Sequence, residues 1–133
     1  MRVRPATIVL TLAIAGCVGG CGSGSRDTAV RRTVGQWTSA VARQDGPRAC
    51  AVLSNDLQHA IARHLLGEGV EGSCHTWAAR YVSPRNPASR GRVRITAVRI
   101  RGSRATVTLA APGLSEAHVK LVMEHGHWRI DDY

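Results

Sequence analysis

Phenylalanine is absent from the 133 residues, and aromatic side chains make up only 4% of them, three Trp and two Tyr. A pocket lined by rings would draw on Trp37, Trp77, Tyr81 and Trp128; the alternative for all four is ordinary core packing. Lysine is nearly missing as well. Lys120 is the single one among 18 basic residues, a bias that fits a GC-rich coding sequence better than selection for guanidinium chemistry. Acidic residues are missing locally: none occurs between Glu71 and Glu116, where Arg80, Arg85, Arg90, Arg92, Arg94, Arg99, Arg101 and Arg104 all fall. No apolar run approaches the roughly 20 residues of a membrane-spanning helix. The four cysteines show no Cys-x-x-Cys spacing and the six histidines no His-x-x-x-His spacing, so the usual zinc signatures are absent.

What is present begins with a short targeting signal. Arg2 and Arg4 precede an apolar stretch of about ten residues, Ala6 to Ala15, which suits a cleaved signal peptide. Ile14-Ala15-Gly16-Cys17 resembles a bacterial lipobox, with small side chains before the cysteine to be acylated. Val18-Gly19-Gly20-Cys21 is a second, looser match, so the signal ends at residue 16, or alternatively at residue 20. The remaining alternative is an ordinary secretory signal with two incidental cysteines. The signal segment contains no twin-arginine pair, which indicates general secretion of an unfolded chain. Two acyl chains on one cysteine give stable membrane anchoring where one does not. Residues 17–26, rich in Gly and Ser, then read as a short flexible tether.

Residues 27–133 make one small domain. Loss of the first 16 residues lowers the formal charge from +9 to +7, 16 basic minus 9 acidic. The arginine-rich stretch, Arg90, Arg92, Arg94, Arg99, Arg101 and Arg104 above all, is a candidate contact for anionic lipid or wall polymer. Nucleic acid is set aside as a partner for a protein outside the cytoplasm, and a solvated basic face is the plain alternative.

With Cys17 or Cys21 lipidated, Cys50 and Cys74 remain as a pair in an oxidising compartment, most simply a disulfide. The rival joins Cys50, Cys74 and His75 as metal ligands but leaves the fourth ligand unspecified.

Val30, Val34, Trp37 and Val41 recur at steps of four, three and four and predict a helix over Asp27–Arg43, capped by Ser25 or Asp27 and ended at Asp45-Gly46. Pro47 suits the first turn of a second helical segment. Cys50, Leu53, Leu57, Ile61 and Leu65 share its face, with a candidate break at Ser54-Asn55 and a stop at Gly67. Ser73 caps a third helix whose face carries Cys74, Trp77, Ala78 and Tyr81. Residues 82–91 read as a loop. The period then changes to two: Val93 and Ile95, then Val98 and Ile100 in the opposite phase, as a β-bulge near Thr96-Ala97 produces. Ala105, Val107 and Leu109 form a second strand, Val119, Leu121 and Met123 a third, Trp128 and Ile130 a fourth, with turns at Gly102-Ser103 and His125-Gly126. About three helices packed on a mainly antiparallel four-stranded sheet make an α+β domain.

The order helix, Asp45-Gly46, Ala49-Cys50-Ala51-Val52-Leu53-Ser54, Ser73-Cys74, Arg104-Ala105-Thr106-Val107-Thr108 and a terminal Gly126-His127-Trp128-Arg129-Ile130-Asp131 resembles the small exported lipoproteins of actinobacteria with a nuclear-transport-factor-two-like domain. The resemblance spans roughly Asp27 to Tyr133. It implies a cone-shaped fold, a curved sheet wrapped around a long N-terminal helix with a cavity between. It implies no activity, since that fold hosts enzymes, binders and adaptors.

The expected inward sheet positions carry no group that moves a proton, and the acids Glu116, Glu124, Asp131 and Asp132 fall at strand ends or turns. An enzyme reading would recruit Asp131 or a histidine as its acid or base. His59 and His64 do not share a helix face, His125 and His127 flank a turn glycine, and His75 and His118 begin elements. No nucleophile elbow occurs. The sequence therefore predicts a non-catalytic, membrane-anchored lipoprotein on the extracytoplasmic face, without cofactor or metal, that binds a small apolar ligand or an envelope partner.

Overall fold

In the computed structural model, residues 22–70, 72–81, 93–113 and 115–133 are described. The signal segment, both candidate lipidation cysteines Cys17 and Cys21, and Arg90 and Arg92 lie outside them, as does the side chain of Tyr81.

Helix α1 runs over Gly22–Ala42. Its start lies inside the segment expected to be a tether and ahead of the caps expected at Ser25 or Asp27. The glycine run costs up to about 1 kcal/mol per residue in helix propensity, but side chains offset it. Ser25 Oγ donates to Gly22 O at 3.3 Å, and Thr28 Oγ1 donates to Gly24 O at 2.9 Å. The Arg26 guanidinium donates to Gly102 O and sits 5.7 Å over the Trp128 ring, which ties this turn to the sheet. Val30 and Val34 are fully buried and Val41 nearly so.

The end of α1 is made by Gln44 at φ 57°, with Asp45 N donating to Ala40 O at 2.9 Å and Gln44 N to Val41 O at 3.1 Å. Those two bonds are a Schellman closure, usually built on glycine. Asp45 then caps α2, Gly46–Ala51, through Oδ1 on Arg48 N at 3.1 Å, with Pro47 in the first turn.

The expected second helix is broken at the place its sequence marked. Ser54 accepts from Leu57 N at 3.0 Å and starts α3, Asn55–Gly67. Four helices result where about three were expected, because residues 52–54 turn to pair with the sheet: Ile130 N donates to Val52 O at 2.8 Å and Ser54 N to Ile130 O at 2.7 Å. Helix α4 covers Cys74–Tyr81, and Ser73 Oγ accepts from His75 N at 3.3 Å at its start. Cys50 of α2 and Cys74 of α4 form a disulfide with Cα atoms 5.9 Å apart.

Strands β1 (Arg94–Arg101), β2 (Arg104–Ala110), β3 (Ala117–Glu124) and β4 (His127–Asp132) form an antiparallel meander in that order. The predicted bulge is there: Ile95 faces Leu109 and Ala97 faces Thr108, leaving Thr96 over. A second bulge was not predicted. Leu121 faces Ile130 and Lys120 faces Asp132, so Asp131 is the extra residue. The β3–β4 turn carries His125 at φ 48° and Gly126 at φ 79°, the type I′ signs that match strand twist.

The inner sheet face contributes Ala105, Val107, Leu109, Val119, Leu121, Trp128 and Ile130 to a core completed by Val30, Val34, Cys50, Leu53, Leu65 and Ala78. Burying each large aliphatic side chain stabilises the fold by about 1.5–3 kcal/mol. On β1 the inner residues Val93, Ile95, Val98 and Ile100 are only half-buried.

Candidate functional site

Two surfaces gather the residues that the sequence singled out. They lie on opposite faces of the sheet, the rings on the inner side and the arginines on the outer.

At the end where β4 finishes, Trp37 of α1 and Trp77 of α4 close on the C-terminal Tyr133. Ring centroids are 5.0 Å apart for Trp37 with Tyr133 and 6.0 Å for Trp77 with Tyr133, both tilted. Such pairs add about 0.5–1.5 kcal/mol beyond area burial. The Asp131 bulge explains the arrangement. Without the extra residue, strand alternation would send Tyr133 to the outer face with Asp132's neighbours; with it, Tyr133 returns to the inner side. Packing against the indoles pushes the phenol up to about 12 by desolvation, although 46% of the residue still meets water. Trp128, grouped with these rings in the sequence reading, is instead 5% exposed within the core, under Arg26. Tyr81 ends α4, and its side chain is not described.

The opposite end holds the turns Gly102-Ser103 and His125-Gly126, joined by Met123 N donating to Ser103 O at 2.8 Å. Cross-strand register sets two rows on the outer face beside it. One row reads Arg101, Arg104, Val122, Arg129; the next reads Arg99, Thr106, Lys120, Asp132. A shallow groove of about 460 Å³ runs among Arg99, Arg101, Arg104, Lys120 and Asp131. Arg94, Arg99, Arg101 and Arg104 are exposed, and among the described residues none of them forms an ion pair.

Nearby acids are committed elsewhere. Asp132 accepts from Lys120 Nζ at 2.7 Å, a contact that holds its carboxyl below the usual range and the Lys120 ammonium above its own. Glu124 receives Asn55 N at 3.3 Å from both oxygens, at the start of α3, where a carboxylate is favoured. Asp131 Oδ1 accepts from Ser54 Oγ at 2.8 Å. That contact points Asp131 toward the 52–54 segment, not into the layer between α1 and the sheet.

The histidines stay apart. His64 meets Glu68 at 3.2 Å, His118 meets Thr108 Oγ1 at 3.4 Å, and His59, His75, His125 and His127 are exposed. Among the described residues, no group of three or more His, Cys, Asp or Glu is placed to hold a metal ion. A wider groove of about 670 Å³ between α1 and α2, lined by Arg32, Gln36, Arg43, Asp45 and Arg48 among others, had no counterpart in the sequence reading. Its residues come from the polar face of α1 and the first turn of α2, and helical periodicity shows only the opposite, apolar face. No helix among the described residues is long and apolar enough to cross a membrane.

No family model matches the chain, and no curated protein matches it. Among solved structures it is similar to an NTF-2-like protein of unknown function from Silicibacter pomeroyi, at 13% identity and a TM-score of 0.51, over 80% of this chain and 91% of that one. At that identity the likeness speaks to fold alone: helices packed on a four-stranded antiparallel sheet in the NTF-2-like arrangement.

Proposed function

We propose that this protein is a lipoprotein held at the extracytoplasmic face of the cell membrane. Its NTF-2-like domain binds, without catalysis, a small apolar ligand or an apolar segment of an envelope partner. The observation that carries the binding reading is the meeting of Trp37, Trp77 and Tyr133 from three separate elements, with Tyr133 still 46% exposed. An exposed aromatic face of this kind offers stacking area at low conformational cost. The Cys50–Cys74 disulfide supports an oxidising compartment, and the lipobox-like Ile14-Ala15-Gly16-Cys17 supports the anchor. Support for a non-catalytic role comes from the described inner sheet positions, whose side chains are apolar.

The test is thermal unfolding with a panel of apolar small molecules. A ligand at about ten times its Kd stabilises the native state by roughly 1.4 kcal/mol, a rise of several degrees for a domain of this size. The rise should saturate and should vanish in Trp37→Ala and Trp77→Ala. A flat response across the panel contradicts the binding reading. Turnover of any substrate that Asp131→Asn abolishes would establish the enzyme alternative instead.

A further inference from the structure

We infer that the turn end of the sheet, with Arg101 and Arg104 at its rim and Arg99 behind them, docks on anionic lipid headgroups beside the anchor. The inference rests on the lipoprotein reading and adds an orientation to it. Cys21 directly precedes Gly22, the first residue of α1, and Cys17 lies five residue steps away, at most about 18 Å of chain. The same end of α1 is fastened to the β1–β2 turn, because the Arg26 guanidinium donates to Gly102 O and covers the Trp128 ring. An acyl anchor on either cysteine therefore keeps this turn close to the bilayer, with Trp37 of the aromatic cluster farther along α1.

The charge at the near end is unbalanced. Arg101, Arg104 and Arg129 share one cross-strand row, and Arg99 and Lys120 stand in the next. Asp132 is taken up by Lys120 and Glu124 by the start of α3, while Asp131, which also lines the groove, accepts from Ser54 Oγ. Arg99, Arg101 and Arg104 stay exposed, with no ion pair among the described residues. Each basic group near an anionic surface multiplies its attraction about fivefold, so these three favour the docked pose on the order of 100-fold at low salt. Screening at high salt removes most of this. A lipid surface is favoured over a wall polymer because the anchor itself brings this end to the bilayer.

The experiment uses the full acylated protein in vesicles carrying a dansyl lipid. Flotation reports the anchor, and energy transfer from tryptophan to dansyl reports the pose. Transfer should be higher in vesicles with about 30% phosphatidylglycerol than in pure phosphatidylcholine, and should fall to the neutral value in strong salt. Arg101→Gln/Arg104→Gln should lose the difference, while Arg43→Gln/Arg63→Gln, which removes the same charge from the turn after α1 and from α3, should keep it. Equal transfer in both lipids, or equal loss in both variants, overturns the docking. An arginine-dependent change seen only with soluble anionic wall polymer overturns it in favour of the polymer. Failure to float with neutral vesicles overturns the anchor alone; the same comparison of variants is then read from flotation with anionic vesicles.

Discussion

Three positions carry consequences that single substitutions expose. Gln44 holds a left-handed φ of 57° at the Schellman closure of α1, a conformation that side chains with a Cβ disfavour and glycine adopts freely. Gln44→Gly should therefore stabilise the domain by about 0.5–1 kcal/mol, seen as a higher urea midpoint with unchanged m. Ser54 is fully buried, accepts from Leu57 N and donates to Asp131. Ser54→Ala removes a helix cap and a bond to a charged group, and should cost about 2 kcal/mol. Tyr133 has its phenol pushed up to about 12 by desolvation. Its folded pKa lies above the unfolded value near 10, so the native state keeps a proton that the unfolded chain gives up. Stability should then fall as pH rises from about 10 to about 12 and level beyond. Tyr133→Phe should flatten that decline and delete the later step in phenolate absorbance. The Lys120–Asp132 pair is lost at both extremes of pH. Its contribution is lost as pH falls through the lowered pKa of Asp132, or rises through the raised pKa of Lys120.

Among the elements, the helices show what periodicity can and cannot reveal. The faces Val30–Val34–Val41 and Cys50–Leu53–Ile61–Leu65 were legible because burial repeats at helical spacing and the sequence records it. The Thr96 bulge was legible because it reverses which residues alternate with arginine. The Asp131 bulge left no such mark: only Asp132 and Tyr133 follow it, too few to show a phase change. Tyr133 was missed from the aromatic cluster for that reason, and Trp128 was grouped there because composition cannot tell a core ring from a surface one. The early start of α1 was hidden as well, since its contacts with Gly102 and Trp128 are tertiary and override the propensity of glycine. The disulfide joins α2 to α4 across 24 positions. In the chain-entropy picture it contributes roughly 3–4 kcal/mol. Cys50→Ala/Cys74→Ala should lower the melting temperature by more than ten degrees relative to the oxidised protein, measured by circular dichroism, and reduction of the unsubstituted protein should give a drop of similar size.

For the whole molecule, the proposal gives separate roles to the arginine-bearing outer face and to the aromatic cluster on the inner side. The arginine-bearing β1–β2 turn lies by the start of α1, next to the candidate lipidation cysteines in sequence, and the Trp37–Tyr133–Trp77 cluster forms farther along α1 and past the end of β4. In the proposed arrangement the aromatic cluster stays available to a ligand or partner. The NTF-2-like layering accounts for the fold, and the proposed function rests on these side-chain clusters rather than on the fold. Everything in this arrangement depends on export and acylation. The most direct measurement is the unreduced intact and peptide mass of the protein taken from the membrane fraction. The account predicts a diacylglyceryl adduct on Cys17 or Cys21 together with a linked Cys50–Cys74 peptide. An unmodified N-terminal segment with free thiols, recovered from the cytosol, would contradict it.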